Sequence, residues 1–321
     1  MSNVTKKARY IADVFGINVP RNNDLVVEVY DGKVDFVPKL DKDFRFRPEL
    51  LGDILAWLRV SETLKDGLFL TGPTGSGKSS ILTQIAARMN RPMQRVTAHS
   101  RMEMPELIGH HIVMDGDLMW QDGPLTIAMR HGHMFLLDEM DLLDPATAAG
   151  LNGILEGAPL MIPENGGEVV EPHEDFRFVA TGNTNGGGDR TGLFQGTLQQ
   201  NAAFMDRMWV VEVGYAVPEV EKEILSSVCP SVPDYVADTM IEIANEVRGL
   251  FMGKDGNPGA IEVTLSTRTL VRWATLSWFF QGKKEQGINP INYALDRALA
   301  NRASPETKTA LHEIVQRHFG K

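Results

Sequence analysis

Short apolar runs and longer stretches of helical spacing follow one another along this chain, and their order predicts the fold. Residues 68–70, 134–137, 176–181 and 208–213 are short runs dominated by apolar residues, and 93–97 is a mixed run of similar length; all five read as strands. Helical patterns separate them, so the connections read as crossovers and the strands as a parallel sheet. Ahead of the first run, residues 48–58 have helical apolar spacing, with Pro48 favourably placed at the start. Beyond Pro218 the pattern turns helical, most clearly over 220–228, 235–252 and 266–280.

Two stretches interrupt this rhythm. Residues 111–120 place Asp115-Gly116 between short apolar arms, which predicts a hairpin inside a crossover. Residues 160–170 carry a second turn signal at Asn165-Gly166-Gly167. Residues 1–40 mix Lys and Arg with short apolar pieces, predicting a short helix, an extended segment and a turn at Asp31-Gly32. The expected organisation is an N-terminal appendage over 1–40, an α/β core over 41–215 and a small all-helical unit over 216–321.

Composition narrows the choice of partners. The formal charge is −10, from 32 basic and 42 acidic residues among 321, which argues against a generic binder of nucleic acid or anionic membrane. The single cysteine, Cys229, leaves no internal disulfide framework and fits a reducing compartment. No apolar run approaches membrane-spanning length, and the N-terminus does not read as a secretory signal. A cytoplasmic protein is expected.

The strongest chemical signal is Gly72-Pro73-Thr74-Gly75-Ser76-Gly77-Lys78-Ser79, which lies directly behind the first strand and ahead of a helical run beginning at Ser80. Its glycines let successive N–H groups turn around phosphate oxygens, and the helix adds its positive end. Lys78 suits the β- and γ-phosphates, and the Ser79 hydroxyl suits Mg²⁺. Asp138 and Glu139 end the third strand on the rim where this loop lies. Asp138 suits outer coordination of Mg²⁺, and Glu139 suits orienting or deprotonating water; a pair of solvated acids is the alternative. Asn183 ends the fourth strand, where it serves either the same water or a glycine-rich turn.

Two arginines are left open. Arg207, just before the fifth strand, is too far along the core for its own phosphates. It either reaches a neighbouring copy's site or pairs with an acid at the surface. Arg268 opens a helix of the tail, and phosphate contact and a surface position fit it equally well. His99, His110, His111, His131 and His133 crowd one segment, but their spacing matches no metal-ligand pattern on one helix face.

Together these residues resemble the AAA+ ATPases, and the two inserted hairpins resemble the MoxR branch. The resemblance implies that Gly72 to Ser79 is Walker A, with Ser80 also binding the nucleotide and with Ser79 and Asp138 on the metal. It implies Walker B at 135–139, the first sensor at Asn183, the arginine finger at Arg207 and the second sensor at Arg268. The proline usual before that last arginine is absent from Ser266-Thr267-Arg268. The stretches 14–17, 189–197 and 205–207 are similar to the CobS-type subunits of aerobic cobaltochelatase. That likeness implies ATP and Mg²⁺ as cofactors and a hexameric homo-oligomeric ring. It also implies a partner with a von Willebrand factor A domain (CobT-like) and a larger client enzyme, with cobalt insertion as one outcome and activation of another metalloenzyme as the other. Related rings translocate nucleic acid, but residues 102–129 and 157–176 contain no Lys or Arg, so none is expected here. The acids of the second hairpin region, Glu164, Glu168, Glu171, Glu174 and Asp175, suit a basic protein client.

Overall fold

A computed structural model describes residues 5–189, 192, 194–253 and 259–320. Arg190, Thr191 and Leu193 of the 189–197 stretch lie outside the described residues. The chain opens with strand β1 (Lys6–Tyr10), helix α1 (Ile11–Phe15) and strand β2 (Val26–Tyr30), the two strands pairing antiparallel. Helix α2 (Pro48–Leu64), strand β3 (Gly67–Thr71), helix α3 (Lys78–Arg88) and strand β4 (Met93–Thr97) follow. The next crossover holds α4 (Met104–Ile108), the hairpin β5 (Gly109–Met114) and β6 (Asp117–Asp122), and α5 (Pro124–His131). Strand β7 (Met134–Asp138) leads to α6 (Pro145–Ala149) and α7 (Asn152–Leu155), then to a second hairpin of β8 (Leu160–Ile162) and β9 (Glu168–Val170). Strand β10 (Arg177–Gly182), helix α8 (Ala202–Met205) and strand β11 (Met208–Glu212) complete this part. Five helices remain: α9 (Pro218–Val228), α10 (Asp234–Met252), α11 (Thr267–Phe279), α12 (Pro290–Ala298) and α13 (Pro305–Phe319).

All five expected strands join one sheet in the order β11-β3-β10-β7-β4, every neighbour parallel. Side-chain alternation splits each strand between two cores. Leu68, Leu70, Met134, Leu136 and Val179 pack with α2 and α3, whereas Phe69, Phe135, Leu137, Phe178 and Ala180 pack with α5 and α7. Both faces are covered at β3, β7 and β10, whose residues are all buried, whereas the edge strands β4 and β11 expose Arg95, Thr97, Val210 and Glu212. The order turns at β3, whose successor β4 lies at the far edge, so a crevice opens at the carboxyl ends of the strands.

Both hairpins are present. Asp115 and Gly116 have φ of 54° and 93°, the left-handed pair that a two-residue turn between twisted strands requires. Arg130, at the end of α5, bonds Asp122 Oδ2 at 3.0 Å and Glu168 Oε1 at 2.8 Å, tying the two hairpins to one helix.

The N-terminal stretch differs from expectation in forming a β-ribbon. Strand β1, rich in Lys and Arg, carries no apolar alternation because its side chains make ion pairs instead, Lys6 with Asp175 and Lys7 with Asp31. Phe15 and Tyr30 bury themselves against the sheet-and-helix body. Helices α12 and α13 also lacked a clear signal, since α13 buries little beyond Thr307, Leu311, Ile314 and Val315. A third core, running from Leu225 to Val315, holds the five last helices together around the fully buried Trp273.

The histidines go to separate tasks. His99 Nδ1 accepts the Arg101 N–H at 3.3 Å, His110 and His111 sit on β5, and His131 ends α5. His133 is buried, with Nδ1 3.1 Å from Gln94 Nε2. Burial, aided by the neighbouring His131, His173 and Arg91, pulls its imidazole down to about 4. The folded value lies below that of the unfolded chain, so the unfolded state takes up the proton first and stability falls as pH drops from 6.5 to 4. Urea unfolding should show a loss of at most about 3 kcal/mol over that interval from this residue, and His133→Asn should flatten the profile there.

Candidate functional site

The loop between β3 and α3 wraps around a cavity of about 330 Å³ at the strand ends. Gly72 has φ of 143°, and a Cβ there would lie 2.2 Å from the Val213 carbonyl oxygen. Gly75 has φ of 72°, and a Cβ there would meet Ser266 Oγ at 2.5 Å. Only glycine fits at either position, so the loop is pressed against β11's exit on one side and the start of α11 on the other.

Thr74, Gly75, Gly77, Lys78, Ser79 and Ser80 all line this cavity. Pro73 and Gly72 lie behind it, their carbonyl oxygens accepting from Lys78 Nζ at 3.0 and 2.6 Å. Lys78 Nζ also donates to Asn183 Oδ1 at 3.2 Å, yet no carboxylate among the described residues bonds it directly. Burial lowers this ammonium to about 8, although the surrounding charges of Asp141, Asp138 and Glu139 favour its cationic form. A buried cation held by carbonyls, facing a polar cavity with loop amides around it, is the environment of an anion site. Ser76 Oγ is buried without a partner among the described residues.

Asp138 is the hub of the rim. Its Oδ1 accepts from Ser79 Oγ at 2.5 Å and from Thr181 Oγ1, and its Oδ2 accepts from Arg95 Nη2. Burial works against the charged form, but these hydrogen bonds outweigh it and hold the carboxyl below its ordinary range. The Ser79 hydroxyl and the Asp138 carboxylate therefore stand together as hard oxygen donors, a set that suits Mg²⁺. Glu139 extends into the cavity from a left-handed residue with φ of 56°, its N–H donating to Thr181 Oγ1 at 3.2 Å. Such a conformation costs a non-glycine residue roughly 1 kcal/mol and turns the exposed carboxylate away from the strand.

Asn183 and Arg268 line the same cavity. Arg207 does not. Its backbone carbonyl accepts from Gly67 N–H, at the opposite end of β3 from the loop. Five residues of strand, about 17 Å, separate the two rims. There Arg207 makes an ion pair with Glu156, Nε donating to Oε1 at 2.8 Å, and donates to the Ala203 carbonyl.

Three further residues shape the site. Arg95 is a cation within strand β4, but its partnership with Asp138 depends on the parallel register that sets Thr97 opposite Asp138. Thr181 reaches Asp138 across the β10–β7 pairing. Asp141, fully buried, accepts the N–H groups of Asn183 at 2.7 Å and Thr184 at 2.9 Å, fixing the turn that carries Asn183. A second cavity of about 370 Å³ adjoins the first, with Phe44, Ile81, Val220, Ile224 and Val271 among its walls. Its apolar character and position between core and helices suit a flat nucleobase.

Replacing Lys78 by Met should raise the stability of the nucleotide-free chain by about 2 kcal/mol at pH 7, because the cost of burying this ammonium exceeds what its carbonyl partners and the nearby carboxylates return. The same change should abolish nucleotide binding. Urea unfolding paired with equilibrium binding measures both.

Comparison with known proteins agrees with this geometry. Residues 67–207 match the model of the AAA domain, dynein-related subfamily, and residues 221–318 match the CbbQ/NirQ/NorQ C-terminal model. The aerobic cobaltochelatase subunit CobS of Sinorhizobium sp is 30% identical over 331 residues, covering all of this chain and 93% of that protein. NorQ of Paracoccus denitrificans is 27% identical over 272 residues, covering 84% of this chain and 92% of its own. Among solved structures, a RuvB mutant of Thermotoga maritima superposes with a TM-score of 0.51 at 13% identity, over 81% of this chain and 72% of that one, a likeness of fold. No helix among the described residues is long and apolar enough to cross a membrane. The chain belongs to the MoxR-type AAA+ ATPases, a nucleotide-binding family, and is related within it to CobS and NorQ.

Proposed function

We propose that this chain is a subunit of a homo-oligomeric ring, hexameric by family resemblance, which couples ATP hydrolysis to remodelling of a partner complex. The observation that carries this reading is the separation of Arg207 from its own cavity. Lys78, Ser79, Asp138, Glu139, Asn183 and Arg268 converge on one rim, while Arg207 sits about 17 Å away on the other. A neighbouring copy that presents its Arg207 rim to this cavity would complete the charge set for phosphoryl transfer.

In this reading the loop amides and Lys78 bind the phosphates, and the apolar cavity takes the base. Ser79 and Asp138 hold Mg²⁺, which supplies charge neutralisation at the phosphates. Glu139 orients a water for in-line attack on the γ-phosphorus and takes its proton as the bond to the ADP oxygen breaks. Asn183, held by Asp141, keeps that water and the γ-phosphate in register. Arg268 contacts phosphate from the helical unit.

The client follows the relatives. CobS is named as a cobaltochelatase subunit, so a large metal-inserting enzyme reached through a von Willebrand factor A protein is the favoured target, with another metalloenzyme as the second choice. The hairpins present Val113, Leu118 and Met161 to solvent, at 74%, 68% and 62% exposure, beside the acids of residues 164–175. A protein surface with apolar and basic character suits them better than nucleic acid.

Arg207→Ala should retain nucleotide binding and lose turnover by on the order of a thousandfold. Glu139→Gln should also bind and fail to turn over. Mixed in equal amounts, the two inactive variants should regain about a quarter of parental turnover, since about half of the boundaries are mixed and only one of their two orientations pairs an intact Glu139 with an intact Arg207. Continued inactivity of the mixture would refute a shared site. The Glu139→Gln ring should also retain its client in a pull-down, and recovery of nucleic acid without a protein client would overturn the partner assignment.

A further inference from the structure

A buried ion pair lies beyond the phosphate cavity, inside the helical unit. Glu221 on α9 is fully buried and Arg248 on α10 is 5% exposed. They meet bidentately, Nη1 to Oε2 at 2.8 Å and Nη2 to Oε1 at 2.6 Å. Arg248 Nη1 also donates to Asn245 Oδ1 at 2.9 Å within α10, and two further bonds of the pair reach a short run of backbone and side chain. Arg248 Nε donates to the Leu265 carbonyl at 2.8 Å, and Thr267 Oγ1 donates to Glu221 Oε1 at 2.7 Å. Both bonds fall immediately before Arg268, on the entry to α11. Tyr215 stacks its ring on the Arg248 guanidinium, 4.5 Å from ring centre to Cζ. The Tyr215 hydroxyl lies 3.1 Å from Thr264 Oγ1 and donates to the Thr74 carbonyl of the phosphate loop at 3.4 Å. Ser266, between these contacts, abuts Gly75 of the same loop.

Residues 264–267 are thus held from three sides, by the Glu221–Arg248 pair, by Tyr215 and by the phosphate loop. A buried ion pair adds little net stability compared with an apolar pair of similar volume, because desolvation offsets its attraction. What it supplies is a fixed geometry, with all three guanidinium nitrogens hydrogen-bonded. Tyr215 extends that geometry to the loop, being the side chain that touches both the guanidinium and the Thr74 carbonyl.

We infer that Glu221, Arg248 and Tyr215 are positioning residues that set Arg268 over the phosphate cavity and report the conformation of the phosphate loop to the helical unit. The inference rests on the reading of Arg268 as a phosphate contact. It assigns the discrimination between ATP and ADP in part to side chains that touch neither.

A double-mutant cycle tests it, with binding as the readout. In a Glu139→Gln background, Kd values for fluorescent ATP and ADP are measured for Tyr215→Phe, Glu221→Gln, Arg268→Ala and the paired combinations. Tyr215→Phe keeps the ring that covers Arg248 and so keeps the fold, even where Glu221→Gln, which leaves a buried guanidinium unpaired, does not. Expected is a loss of roughly tenfold in ATP affinity for Tyr215→Phe, with ADP affinity changed less than about twofold. In the Arg268→Ala background the same change should have no further effect. In the nucleotide-free chain, amide exchange at Thr269 and Leu270 should quicken in Tyr215→Phe, as the first turn of α11 loosens. Equal losses in both backgrounds, or losses shared by ATP and ADP, would show a general structural role and overturn the inference. Failure of the underlying reading appears separately: Arg268→Ala would then bind ATP like its parent, and the inference falls with it.

Discussion

The carboxylate of Asp138 is the constraint on which the site depends. It ends β7, yet its three hydrogen-bond donors come from β4, from β10 and from the first turn of α3. A buried carboxylate must have these donors in place together, since losing one leaves charge without compensation in a poorly polarisable surrounding. Three strand ends and the phosphate loop are therefore aligned by one side chain. The parallel register makes this feasible, because it brings Thr97 beside Asp138 and Ala180 beside Leu137 without any loop rearrangement. Asp141 repeats the device one turn further on, where its buried carboxylate shapes the backbone around Asn183 and Thr184.

Legibility in the sequence followed the type of constraint. Strands covered on both faces announced themselves as apolar runs, and the Asp-Gly hairpin as a pair of residues that tolerate positive φ. The glycine loop was readable because its positive φ and close approaches at Gly72 and Gly75 admit no other residue. Arg95, Thr181 and Asp141 were not assigned, since each acts across the sheet or a turn and its partner is set by strand order, which the sequence states only indirectly. Strand β1 escaped notice because its faces carry Lys and Arg that find acids distant in sequence, Asp175 above all. Helices α12 and α13 cover the helical unit with a narrow apolar stripe, too thin to stand out from polar surroundings. For Arg207 the residues offered two readings, and the geometry contains elements of both: an acid at its side in the single chain, and a place on the far rim of the sheet.

The same logic explains where the chain accepts cost. Lys78 is buried without a bonded carboxylate among the described residues, and Glu139 occupies a left-handed conformation. Both departures lie on the cavity wall. Native proteins concentrate such departures at functional positions and offset them through the surrounding core, here the two apolar layers on either side of the sheet.

Arg130 gives the two hairpins a shared mechanical fate. One guanidinium grips Asp122 at the base of the first and Glu168 in the second, and it does so from the last turn of α5, which runs directly into the strand ending in Asp138 and Glu139. A load applied to either projection is borne by both. It is passed to the root of the strand that ends at Asp138, so the two projections and one wall of the cavity share a common lever whose fulcrum is a single arginine.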